Sequence, residues 1–103
     1  MQGIREISFR AKIVPNHPRN IVGPQLRRLR IERGLSQAAF AAECQRFGWD
    51  VSRDIFKHIE GGKRWVSDSE LVLLAACLKV ELQILLPPRS QVVKIALSRV
   101  GGK

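Results

Sequence analysis

Helix starts and helix stops recur at short intervals between Gly23 and Pro88, and this punctuation restricts the chain to short helices packed on one another. Gly23-Pro24 opens the first, because proline at the first helical position gives up a donor that would be unpaired there anyway. Leu26, Leu29 and Arg30 share a face, and Gly34 supplies the stop. Ser36 is an N-cap for a second helix whose Phe40, Ala41, Cys44 and Phe47 form one apolar stripe, ended by Gly48. After the turn Gly48-Trp49-Asp50-Val51, Ser52 caps a short third helix with Phe56 and Ile59 turned inward and Gly61-Gly62 beyond it. Ser67 and Glu70 have capping-box spacing and launch a fourth helix on Leu71, Leu74, Ala75 and Leu78. A short fifth, residues 81–86, runs into Pro87-Pro88, which cannot continue it. The expectation is an all-α domain of five helices over residues 23–88.

The flanks read differently. Residues 1–22 hold Pro15, Pro18 and no sustained helical period, so they are expected to form an arm, extended or disordered in part, with an extended piece over residues 7–14. His17, between those prolines, supports no assignment. In residues 89–103, Val92, Val93, Ile95, Ala96, Leu97 and Val100 are interrupted by Lys94 and Arg99. That tail is either a sixth helix capped by Ser90 or a strand. In both cases its apolar groups need cover from the domain or from a second subunit.

A chain of 103 residues has room for one domain, and its 45% hydrophobic content suffices for one modest core. There is no apolar run of bilayer length and no apolar stretch in MQGIREISFR to serve as a secretion signal, so the expected compartment is the cytoplasm, at the nucleoid. Cys44 and Cys77 sit among apolar neighbours without metal-ligand spacing; they are expected to be small buried hydrophobes with no metal, and a disulfide between them, which the sequence leaves open, is disfavoured by a reducing cytosol. No cofactor is expected.

Net charge is +9, from 18 Lys and Arg against 9 Asp and Glu. Residues 1–22 carry four bases and one acid, residues 23–88 ten and eight, and residues 89–103 four and none. Within the core, residues 23–64 have nine bases against five acids, so one side of the domain is expected to be positive. A polyanionic partner fits that distribution, although the same balance also serves solubility.

The polar residues carry a more specific signal. Leu35-Ser36-Gln37, Phe40-Ala41, Val51-Ser52-Arg53, Phe56, Ile59-Glu60 and Gly62-Lys63-Arg64 together resemble the signature of lambda-repressor-like, Cro-type helix-turn-helix proteins, the xenobiotic-response-element family. Glu70-Leu71, Leu74-Ala75, Leu78 and Val80 match the family's downstream pattern, so the resemblance covers about two thirds of the chain. It implies a five-helix DNA-binding domain whose third helix, residues 52–60, enters the major groove of double-stranded DNA.

With Phe56 and Ile59 inward, that helix turns Arg53, Asp54, Lys57 and His58 outward as candidate base-reading residues. Arg53 suits guanine O6 and N7, Asp54 suits a cytosine amino group or holds Arg53, and Lys57 and His58 lie one turn on. By resemblance Gln37 bonds the DNA backbone at the start of helix two, Lys63 and Arg64 flank phosphates, and Arg30 and Glu60 form a buried ion pair of the scaffold. Ser52 and Arg46 are added as candidate phosphate contacts. Trp65 is expected to be half-buried in the core, with packing against sugars as the alternative. His58 has no second ligand for a metal and no nucleophile for catalysis, so no catalytic residue is assigned.

One stretch departs from the family pattern. Between Ala41 and Val51 the chain has extra residues, Gln45-Arg46-Phe47 extending helix two and Gly48-Trp49-Asp50 lengthening the turn, with Trp49 expected as a wedge beneath it. The segments GWDVSR and KHIEGGKRWVSDSEL resemble a bacterial and prophage sub-group. The function implied is a sequence-specific transcriptional regulator, a repressor acting as a homodimer through the tail and helix five. Two alternatives stay open: an antitoxin that also binds a toxin partner, and an interaction adapter that has lost DNA binding.

Overall fold

A computed structural model describes residues 18–101, which form six helices and no strand. They are α1 (Gly23–Glu32), α2 (Gln37–Phe47), α3 (Arg53–Glu60), α4 (Asp68–Leu78), α5 (Leu82–Leu85) and α6 (Arg89–Gly101). Most of the expected arm, residues 1–17, and the last two residues of the tail lie outside the described residues.

Local chemistry sets the boundaries. The Ser36 hydroxyl accepts from the Ala39 amide at 2.9 Å, and the Ser52 hydroxyl accepts from Ile55 at 3.2 Å. Ser67 and Glu70 form a complete capping box at the start of α4. Gly48 ends α2 at φ 110°, a left-handed conformation that a side chain resists, and this swings the chain into the long turn. In that turn Trp49 is half-buried and meets Phe56 edge-on, with ring centroids 6.0 Å apart, so it wedges the turn against the core.

The core is one cluster in which Leu26 of α1, Phe40 and Cys44 of α2, Phe56 and Ile59 of α3, Leu74 and Leu78 of α4 and Leu85 of α5 are fully covered. Phe40 stacks on Phe56 at 4.7 Å, holding α2 and α3 together. α1 approaches α3 at Gly23 so closely that a Cβ there would lie 2.6 Å from the Ile59 carbonyl oxygen. Only glycine allows that contact.

Three expectations change. Phe47 has the angular position of the α2 stripe yet is 58% exposed, because α4 ends at Leu78 and Phe47 lies past the packed layer. The packed unit also starts before Gly23: Asn20 and Val22 are buried, so the residues just ahead of α1 belong to the domain rather than to a loose arm. The tail is a helix, and it starts at Arg89 rather than behind a Ser90 cap; the Pro88 carbonyl accepts from Gln91 and Val92 in its first turn. α6 leaves the domain beyond the two prolines, with Val93 and Leu97 exposed.

Candidate nucleic-acid interface

α3 is eight residues long and two-sided. Phe56, Ile59 and Glu60 are buried, whereas Arg53, Asp54, Lys57 and His58 are all exposed. Helical spacing places Arg53 beside Lys57 and Asp54 beside His58, in two adjacent rows. Among the described residues the side chains of Arg53, Lys57 and Lys63 have no hydrogen-bond or ion-pair partner, so their donors stand free on the surface. His58 Nδ1 donates to the Asp54 carbonyl oxygen at 2.8 Å, which orients the ring and leaves Nε2 outward.

Behind α3 sits a buried polar hub. Arg30 meets Glu60 through two parallel bonds, Nε to Oε2 at 2.6 Å and Nη2 to Oε1 at 3.0 Å, and its Nη1 donates to the Leu35 carbonyl. The Glu60 hydrogen bond holds the Arg30 guanidinium firmly charged, against the opposing effect of burial. Gln37 joins the hub, its amide nitrogen donating to Glu60 Oε1 at 3.0 Å. The Gln37 side chain is thus half-buried and turned toward α3, while its backbone N–H stays at the open amino end of α2.

The segment after α3 is braced rather than loose. Arg64 forks onto Glu70, with bonds of 3.0 and 3.1 Å, and also donates to the Trp65 carbonyl. The Arg64 guanidinium, aided by Ser67, holds the Glu70 carboxyl below the usual carboxylate range, against the pull of partial burial. Arg64 is therefore half-covered and already paired, unlike Lys63. Trp65 is 61% exposed, which corrects the expected half-buried placement: in this irregular segment Arg64 and Val66 turn inward, and the residue between them turns out. Arg46 is not brought together with the α3 side chains. It lies about 14 Å along α2 from Gln37 and lines a surface depression with Glu43, Phe47, Ala76, Cys77 and Lys79.

Two residues that the sequence reading passed over complete the site. The Asn20 side chain is buried at a junction: its Nδ2 donates to the Ile59 and Arg64 carbonyls at 3.0 and 2.9 Å, and its Oδ1 accepts from Val22 and Gly23. An Asn shortly before Gly-Pro is a local capping signal, but its reach to α3 is not local. Arg19, exposed beside it, bonds the loop at Gly62 and Lys63.

No described helix is long and apolar enough to cross a membrane. A comparison with protein-family models matches residues 21–83 to a helix-turn-helix domain, the segment running from just before α1 through the first half of α5. No curated protein and no solved structure matches the chain in the parallel comparisons. With more than half of its length matched, and with α2, the turn and α3 placed as described, the chain belongs to the helix-turn-helix domain family of DNA-binding proteins.

Proposed function

We propose that this protein is a sequence-specific transcriptional regulator of Cro type, repressing by occupying promoter DNA in competition with polymerase. The observation that carries the reading is the surface of α3, where Arg53, Asp54, Lys57 and His58 are exposed together over a buried Phe56 and Ile59. A helix anchored on one side with free donors on the other suits a major groove. Arg53 and Lys57 supply donors for guanine, and Asp54 and the His58 Nε2 supply acceptors for amino groups of cytosine or adenine. An acid near phosphates costs affinity, so Asp54 at the helix tip favours selectivity over grip.

Lys63, the amino end of α2 at Gln37 and the Ser52 hydroxyl are assigned to phosphates. Arg64 takes a bracing role through Glu70, with phosphate contact secondary. The reading includes a homodimer. Leu82 and Ile84 of α5 and Val93 and Leu97 of α6 are exposed apolar groups. A 13-residue helix is marginal on its own in water. A second copy covering that face would match a two-fold operator.

Selection of binding sites from random duplex DNA at several salt concentrations tests the reading. The expected result is a dyad-symmetric site for the wild type and relaxed preference at one position per half-site for Arg53→Ala. Absence of binding at low salt overturns DNA recognition. Uniform weakening across all sequences would instead place Arg53 on a phosphate.

A further inference from the structure

The loop that follows α3 carries a second cation besides Lys63, contributed by the segment ahead of α1. The Arg19 amide donates to the Gly62 carbonyl at 2.8 Å, and its Nη1 lies 3.4 Å from the Lys63 carbonyl oxygen. Pro18 packs over Gly62, within 3.3 Å of where a Cβ would stand. Residues 18–20 thus run alongside the loop, pinned at three successive positions.

The pin is rigid because of Asn20. Its side chain is 8% exposed and uses both amide hydrogens and its oxygen on four backbone groups, which ties the segment to the end of α3, to Arg64 and to the start of α1. The adjacent guanidinium is held against the Lys63 backbone while remaining exposed. One Nη1 bond leaves further donors of the planar fork available.

Charge accounting points the same way. Two carboxylates of this region are engaged elsewhere: Glu60 with Arg30 and Gln37, and Glu70 with Arg64 and Ser67. No described carboxylate pairs with Arg19 or Lys63. The loop itself is joined to the reading helix, since the Lys63 amide donates back to the His58 carbonyl at 2.8 Å. Two cations without an ion-pair partner, on a loop tied by its backbone to the exposed helix α3, suit a phosphodiester group.

We propose that Arg19 is a DNA-backbone anchor that acts with Lys63, gripping the phosphates that flank the base pairs met by α3. This rests on the DNA-binding reading above. It assigns Arg19 to positioning, with no part in base choice, so its removal weakens all sequences alike.

The test measures affinity of the full chain for its selected duplex, and for an unrelated duplex, as a function of salt. The variants are Arg19→Gln and Arg19→Lys, each with a thermal melt. In Arg19→Gln the slope of log affinity against log salt is expected to fall in magnitude by about 1, with both duplexes weakened by the same factor. Arg19→Lys is expected to keep the wild-type slope. A wild-type slope in Arg19→Gln overturns the inference while leaving DNA binding intact. Equal loss in both variants, together with a lowered melting temperature, also overturns it, because Arg19 would then act by holding the loop. If the wild type shows no salt-dependent binding to any duplex, the underlying reading fails first.

Discussion

Arg30 and Glu60 clamp α1 to the end of α3 through a two-pronged bond, and the same carboxylate holds Gln37 at the start of α2. One buried acid therefore fixes three helices whose relative placement decides where the exposed face of α3 points. The pair is enclosed, with only 10% and 4% of its side chains exposed. Desolvation offsets much of its attraction, so its value lies in specifying geometry.

Removing one partner is far more damaging than removing both. Glu60→Gln leaves the Arg30 charge buried without compensation and is expected to cost about 3–5 kcal/mol, while Arg30→Met with Glu60→Leu recovers most of that loss. Urea unfolding of the two variants checks this. A Glu60→Gln protein as stable as wild type would mean that the ion pair does not secure the helices.

The pairing of Glu70 with Arg64 makes stability depend on acidity in a defined direction. The folded carboxyl titrates below its unfolded value, so the contribution is fully present above the unfolded carboxylate range and is lost as pH falls through the folded value. Thermal melts from neutral pH downward should show a decline in the acid range that is shallower in Glu70→Gln. Ser67→Ala, which removes only the hydroxyl half of the capping box, should cost about 1 kcal/mol at neutral pH, and less in the acid range because the hydroxyl also helps to lower the Glu70 carboxyl. Identical pH profiles for wild type and Glu70→Gln would remove this pair from the account of acid sensitivity.

Much of the fold is legible because it is local. Ser36, Ser52 and Ser67 cap helices within four residues of themselves, and Phe40, Phe56 and Ile59 fall on faces set by helical period alone. What escapes the sequence depends on where partners end. Phe47 has the correct face but no α4 left to cover it, and Trp65 falls on the outward side of an irregular segment with no period to read. The exposed residues of α3 follow from the buried ones, so Arg53, Asp54, Lys57 and His58 are found as a set. Asn20 and Arg19 are not found, because their partners lie about forty residues away in the chain. Arg64 and Glu70 each have a role visible from sequence, phosphate and cap, and only packing reveals that they meet each other.

Cys44 of α2 and Cys77 of α4 are buried thiols of the same core cluster. Burial pushes both up from the ordinary thiol range, so neither supplies appreciable thiolate at neutral pH. Alkylation of the native protein is expected to proceed only through opening, slower than in urea by on the order of a thousandfold for a domain of marginal stability. Mass spectrometry of iodoacetamide-treated protein checks it. Rapid modification of Cys44, which is fully covered, without denaturant would show that the α2–α4 seam opens on its own.

His58 offers the sharpest prediction about base choice. A carbonyl oxygen only accepts, so its bond to His58 requires the proton on Nδ1, and the neutral ring then presents Nε2 outward as an acceptor. An acceptor selects a base with an exposed amino group, adenine or cytosine, at the position it meets. Nitrogen-detected NMR of the imidazole at a pH where it is neutral should find Nε2 unprotonated. Site selection with His58→Lys, which has donors alone, should move the preference at that one position toward guanine, by roughly 1 kcal/mol. An unchanged preference would take His58 out of the reading surface and leave discrimination to Arg53, Asp54 and Lys57.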